Sequence, residues 1–180
     1  MIKMSEFDDY RGLFAEQGNF DIPQMFNAGL AWSGVENHWF LLDVQHIRYS
    51  EVASISNPFA AQTPLGSNDG PGFGWNDINV VKLGWQWQQN AEQTWRGGLS
   101  YGEQPIPDSE VLFNILAPGV QQWHITAGLT RSVSDNLEVS AMAFYSPQET
   151  VHGQNAMGPG QTIKLSMDQL GAGISLGWHF

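Results

Sequence analysis

Apolar and polar residues alternate with a period of two along seven stretches of this chain. The gaps between the stretches run short, long, short, long, short, long until the sequence ends on the aromatic Phe180. Period-two alternation marks a β-strand with one oily and one wet face. The last stretch sets Leu170, Ala172, Ile174, Leu176, Trp178 and Phe180 against Gln169, Gly171, Gly173, Ser175, Gly177 and His179. The stretch before it opposes Val139, Ala141, Ala143 and Tyr145 to Glu138, Ser140, Met142, Phe144 and Ser146. Another opposes Trp123, Ile125, Ala127 and Leu129 to His124, Thr126, Gly128 and Thr130. Upstream, Trp95, Gly97, Leu99 and Tyr101 alternate with Arg96, Gly98 and Ser100, and Val81, Leu83, Trp85 and Trp87 with Lys82, Gly84, Gln86 and Gln88. The first stretch carries Phe26, Ala28, Leu30 and Trp32 on one face. In the second, residues 39–52, the apolar parity of Phe40, Leu42 and Val44 runs on into His46 and Arg48, so a β-bulge is expected there.

The short gaps, at 34–38, 89–92 and 134–136, contain the Asn, Asp, Ser and Gly of tight turns. The long gaps, near 53–77, 105–120 and 150–165, are rich in Gly, Pro, Asn and Gln. Tight turns on one side and long loops on the other are the rhythm of an antiparallel up-and-down transmembrane β-barrel. The stretches are about ten to fourteen residues long, enough for a tilted strand to cross hydrocarbon, whereas strands of soluble domains average about five to six. Of the eight tryptophans, Trp32, Trp39, Trp85, Trp87, Trp95 and Trp178 lie near short-gap ends, as an interfacial aromatic belt requires. Tyr101 and Tyr145 are placed for the opposite belt.

Composition is compatible with this architecture. Mean hydropathy is −0.26 and no apolar run is long enough for a membrane-spanning helix, but alternating strands average their two faces and hide from such a scan. With 18 acidic against 7 basic residues the net charge is −11, which excludes a nucleic-acid partner because phosphate neutralisation needs a basic surface. There is no cysteine, hence neither a disulfide framework nor thiolate chemistry. The five histidines, His38, His46, His124, His152 and His179, show no metal-ligand spacing, and no Ser-His-Asp or paired-carboxylate constellation stands out, so neither an enzyme nor a metal or other cofactor is expected.

Seven motifs, in order along almost the whole chain, carry a family resemblance. They are GLFAEQGNFDIP at 12–23, DVQHIRYSEV at 43–52, GFGWNDINVVKLG at 72–84, YGEQPIPD at 101–108, PGVQQWHITAG at 118–128, SDNLEVSAMAFY at 134–145 and the closing MDQLGAGISLGWHF. In this order the chain resembles the FadL/TodX family of outer-membrane transport proteins for long-chain fatty acids and other hydrophobic compounds. The resemblance implies a fourteen-stranded barrel plugged by an N-terminal hatch, of which this chain is expected to hold about seven C-terminal strands. Residues 1–23 would then be an extracellular-loop-like segment and 24–180 a partial transmembrane barrel, with the hatch and N-terminal half absent. MIKMSEFDDY has no apolar core, so no signal peptide is expected at Met1.

The resemblance also implies passive uptake of long-chain fatty acids or aromatic hydrocarbons across the outer membrane of a Gram-negative bacterium. Outer-membrane lipid, lipopolysaccharide and the barrel assembly machinery are the expected partners. Leu13, Phe14, Phe20 and Ile22 fall in the loop that helps form an oily capture groove, where they either line the groove or pack as a lid over the mouth. Lys82 and Arg96 either attract a carboxylate along the path or neutralise Asp43 and Glu138. Trp178 and Phe180 anchor the periplasmic interface, and the terminal aromatic serves as an assembly signal. Seven strands leave two open edges, each with about ten unpaired backbone groups, which lipid does not tolerate. The missing half, or self-association, has to cover them. Two alternatives stand beside this expectation: a soluble β-sandwich or small barrel that binds a ligand, and a non-transporting remnant of a transporter.

Overall fold

A computed structural model describes residues 12–60 and 63–178. All seven expected strands are present: β1 (Gln24–Trp32), β2 (His38–Arg48), β3 (Ile78–Gln88), β4 (Gln93–Gly102), β5 (Trp123–Ser134), β6 (Leu137–Gln154) and β7 (Thr162–Trp178). They form one antiparallel meander in the order β1-β2-β3-β4-β5-β6-β7, and the sheet is not closed. Among the described residues these seven strands make a single sheet, which is not the architecture of a sandwich. No helix among the described residues is long and apolar enough to cross a membrane.

The turns follow from local chemistry. Between β1 and β2, Asn37 adopts the left-handed conformation (φ 61°), which asparagine tolerates better than most residues, and the His38 N–H donates to the Val35 carbonyl. Between β3 and β4 the Asn90 side chain accepts from the Glu92 N–H, an Asx turn. Asp135 and Asn136 alone join β5 to β6. These three turns define one end of the sheet.

At the other end lie the long connections. The first contains a 3-10 turn (Tyr49–Glu51) and the single-turn helix α1 (Ala53–Ser56), the second two further 3-10 turns (Asp108–Glu110 and Phe113–Ile115). The third expected loop, 150–165, is mostly strand: β6 runs to Gln154 and β7 starts at Thr162, leaving 155–161 between them. A register shift between Ser146 and Glu149 explains how. It inserts one extra residue into β6, so beyond it the odd-numbered residues change face and Val151 pairs with Leu165. Polar and glycine residues here disguise a hairpin that rises above the rest of the sheet.

The bulge expected in residues 39–52 is absent, because β2 keeps an unbroken register with both neighbours. His46 and Arg48 simply continue the apolar face past its oily band. There His46 Nδ1 meets Asn79 Oδ1 at 3.0 Å and Arg48 Nη1 donates to Gln24 Oε1 at 2.8 Å.

Burial is the reverse of a soluble domain. Leu30, Leu170, Ile174 and Leu176 on the sheet are each more than two-thirds exposed, and the buried apolar residues gather at the long-loop end. There Ile106, Val111, Val120, Val151 and Leu165 form a cluster, with Trp75, Ile163 and Met167 against it. A water-filled surrounding does not stabilise such a sheet face; hydrocarbon does.

Candidate functional site

Cross-strand register puts whole rows of side chains on one face. The row Ala28, Val44, Val81, Tyr101, Trp123 is apolar, and so is Leu30, Leu42, Leu83, Leu99, Ile125, Tyr145, Leu170. The intervening rows are mostly polar or bare: Gly29, Asp43, Lys82, Ser100, His124, and Gly84, Gly98, Thr126, Gly171, the latter row broken by Leu41 and Phe144. Each strand thus presents oil on one side and small or polar groups on the other.

Aromatic belts bound the apolar face. At the short-turn end the His38 ring stacks on Trp87 (centroids 5.8 Å apart, planes 3° apart) and on Trp85 (5.9 Å), and the Trp85 indole N–H donates to His38 Nδ1 at 3.0 Å. That bond needs an unprotonated Nδ1, hence the Nε2–H tautomer. Trp32 packs on Phe40, while Trp95 and Trp178 complete the belt. Trp39, expected in this belt, is opposite Gln86 on the polar face instead. At the long-loop end Tyr101 and Trp123 lie 4.7 Å apart, and Tyr145 shares their face.

On the polar face the two expected cations are held by neutral groups. Lys82 Nζ donates to Gln45 Oε1 at 3.0 Å. Arg96 donates from Nε to Gln86 Oε1 (2.9 Å) and from Nη1 to Thr130 Oγ1 (2.7 Å), and the Thr130 hydroxyl lies 2.8 Å from that of Ser140. Although Asp43 pairs in register with Lys82, among the described residues neither Lys82 nor Arg96 forms an ion pair; the ion pair present is Arg48 with Glu51. Each cation is thus held by neutral oxygen acceptors instead of a carboxylate.

The segment 12–22 packs over the long loops. Ala15 N–H donates to Pro71 O (2.7 Å) and Glu16 N–H to Ser67 O (3.0 Å), while Ser54 Oγ donates to Asn19 O (2.6 Å). Of the four expected groove residues, Phe14 is buried and Phe20 half-buried in a phenylalanine nest. Phe14 stacks on Phe73 at 5.0 Å and meets Phe20 and Phe113 edge-on at 5.5 and 5.4 Å, and Phe59 closes on Phe113 at 4.6 Å. Leu13 is half-buried beside it, and Ile22 is 72% exposed next to β1, outside the nest. Trp178 ends β7, whereas Phe180 lies outside the described residues.

Several residues that shape this cap carry no sequence motif. Asn114 is fully buried: its Oδ1 accepts from the Trp75 indole (2.6 Å), and its Nδ2 donates to the carbonyls of Phe73 and Glu110 (both 2.7 Å). Glu110, nearly buried, accepts from the Phe59 N–H at 2.7 Å. At the rim, Asp77 accepts from the Ser50 N–H (2.8 Å) and hydroxyl (3.0 Å), and the Ser50 N–H bond is the main cause that holds its carboxyl below the usual range. Burial raises the Tyr49 phenol above its ordinary value, under the edge of Trp75. Phe73 beside Trp75, and the apolar run of Val111, Leu112, Phe113, Ile115 and Leu116, were the signal within otherwise polar loops that those loops carry a core of their own.

No family model matches the chain, and no curated protein matches it either. Solved structures do. The toluene transporter TodX of Pseudomonas putida superposes with a TM-score of 0.63 at 20% identity, over 91% of this chain and 36% of that chain. A TodX monoaromatic hydrocarbon channel mutant gives 0.65 at 20% identity, and the CymD monoaromatic hydrocarbon channel 0.56 at 18%. The chain therefore spans about 36% of the length of TodX and shares, over nearly all its own length, the barrel fold of these channels. The neighbours are transport channels, not enzymes.

Proposed function

We propose that this chain is a part of the wall and mouth of a FadL-type channel that passes hydrophobic compounds across a bacterial outer membrane. The observation that carries this is the inside-out sheet: seven register-aligned strands with an apolar, belted outer face and an inner face of glycine, hydroxyl and isolated charge. Such a wall separates lipid from a wet or ligand-filled lumen. The short turns then face the periplasm and the phenylalanine-lined cap faces the medium.

TodX, a toluene transporter, and CymD, a monoaromatic hydrocarbon channel, support a small hydrophobic cargo. Long-chain fatty acids fit the same wall, with Lys82 and Arg96 available to the carboxylate, and each methylene leaving water contributes about 0.8 kcal/mol. Lipid and lipopolysaccharide surround the apolar face, and the assembly machinery recognises β7, which ends at Trp178, together with the aromatic Phe180 that follows it in the sequence. The test is uptake. Cells lacking the chain should lose uptake of labelled toluene, of labelled long-chain fatty acid, or of both, and regain it on complementation. Unchanged uptake of several hydrophobic compounds would leave the chain as a non-transporting remnant.

A further inference from the structure

Along β5 towards the short turns, the apolar face reads Trp123, Ile125, Ala127, Leu129 and then Arg131. Arg131 pairs in register with Gln93 and Val139, and Val139 with Leu176, so it stands one row beyond Trp87, Trp95, Leu129 and Ile174. A guanidinium has five N–H donors, and Val139 and Leu176 offer them no acceptor. The polar groups nearby are already engaged, since Gln89 Oε1 accepts from the Gln93 amide and from the Trp95 indole, both at 2.9 Å. Glu138 pairs with Ser132 and takes the parity of Ser140, on the other face. Arg48 is ion-paired with Glu51, and Lys82 and Arg96 are bonded on the inner face. Arg131 is exposed and has neither a hydrogen bond nor an ion pair among the described residues.

Beyond Arg131 the charge changes sign. The Ser132 N–H donates to the Glu92 carbonyl at 2.8 Å, which sets the β3–β4 turn beside β5, and Asp135 opens the adjoining β5–β6 turn. Both acids are exposed, and neither carboxylate has a partner among the described residues. From the middle of the wall outwards the order is therefore aliphatic chain, indole, guanidinium, carboxylate. We infer that this rim is a docking site for a phospholipid whose phosphate carries a primary ammonium, as in phosphatidylethanolamine, in the leaflet at the short turns. The inference rests on the transmembrane reading above but not on transport. An acyl chain lies against Leu129 and Leu176, the Trp95 ring takes the level of the ester groups, and the Arg131 guanidinium takes the phosphate. The ammonium is the outermost group of such a lipid and meets Glu92 and Asp135. A glycerol headgroup would satisfy Arg131 but bring no cation to the two acids, and on a chain of net charge −11 its uncompensated negative charge is repelled.

The test uses the protein purified in its assembled state, stripped of lipid in detergent and titrated with dioleoylphosphatidylethanolamine or dioleoylphosphatidylglycerol, with bound lipid counted by native mass spectrometry. The unaltered protein should bind the ethanolamine lipid several-fold more tightly than the glycerol lipid. Arg131→Gln should weaken the ethanolamine lipid by about fivefold, the worth of one basic side chain at a headgroup, and Arg131→Lys should keep most of the affinity. Glu92→Gln with Asp135→Asn should bring the two lipids to parity. Soluble phosphoethanolamine at the same concentration should not compete. Equal binding of the two lipids by the unaltered protein, or unchanged binding by Arg131→Gln, overturns the inference. Competition by the soluble headgroup also overturns it, because the rim would then hold a phosphate and not a lipid. Heat-dependent gel mobility of each sample reports whether the wall is intact, and the selectivity of the unaltered protein needs no variant, so a substitution that blocks assembly leaves the inference decidable. A heat-modifiable protein without the selectivity loses this site and keeps the transmembrane wall, whereas an unaltered protein that is not heat-modifiable loses both.

Discussion

Replacing Asn114 by alanine should loosen the cap and leave the sheet intact. The side chain is fully buried and joins two stretches of chain, 73–75 and 110–114, through the Trp75 indole, the Phe73 carbonyl and the Glu110 carbonyl. Truncation strands one buried N–H, at about 1–3 kcal/mol, and two carbonyls that each keep a second lone pair and lose nearer 1 kcal/mol. The sum is about 3–5 kcal/mol. At 1.4 kcal/mol per decade, the lower bound corresponds to roughly a hundredfold faster local opening. Hydrogen exchange of the detergent-solubilised protein in its assembled state reports it directly: amides of 72–77 and 105–120 should lose protection by that factor, and amides of β3 to β5 should not. Asn114→Asp sharpens the test, because it keeps the indole's acceptor but sets a carboxylate against two carbonyl oxygens. It should be at least as disruptive at neutral pH and partly recover on acidification, as its protonated form regains one donor. Less than a threefold change in the cap, or an equal loss across the sheet, would refute the keystone role.

Other consequences are equally checkable. A Cβ at Gly171 would overlap the Phe144 ring, so Gly171→Ala should lower the temperature of the heat-dependent mobility shift, and Phe144→Ala should relieve it with a coupling of about 0.5–3 kcal/mol in a double-mutant cycle. A Cβ at Gly153 would overlap the Asp108 carbonyl, which is backbone and cannot swing aside, so Gly153→Ala should expose 105–112 to protease while the β5–β6 turn stays resistant. The double variant Lys82→Gln with Arg96→Gln should reduce fatty-acid uptake several-fold and leave toluene uptake unchanged; an equal effect on both cargoes would remove the carboxylate role. The lowered pKa of Asp77 means its hold on the Ser50 turn is complete above the ordinary carboxyl value of 3.8 and is lost as pH falls through the lower folded value. Protease cleavage at 49–52 should therefore rise only below about pH 4, and Asp77→Asn should make it pH-independent.

The wall was legible because it obeys a single periodic rule. Leu170 to Trp178 and Val81 to Trp87 alternate on either side of the backbone, and the structure keeps that parity through every cross-strand pair of the central sheet. What escaped was whatever depends on partners distant in sequence. The bulge in β6 is signalled only by Pro147 within a strand, and its effect, turning Val151 inward to meet Val111 and Val120, is invisible until those loops are placed. His46 and Arg48 suggested an irregularity because polarity on an apolar parity looks like slippage; depth relative to the oily band was the variable missing. Likewise Trp39 sits near the turn as expected but on the other face, since nearness along the chain does not decide facing. Phe14 and Phe20 were correctly grouped as apolar loop residues, whereas their partners Phe73 and Phe113 lie 53 and 93 positions further on from Phe20.

The separation of a loop-borne core from a lipid-facing wall gives the molecule two different heat capacities. Residues such as Val111, Val120 and Phe14 leave water when the cap folds, so their stabilisation fades on cooling as hydrophobic burial does. On the proposed transmembrane reading, Leu30, Ile174 and Leu176 leave water when the wall enters the membrane and exchange lipid for lipid thereafter. Low temperature should thus open the mouth while the wall beneath it holds its shape.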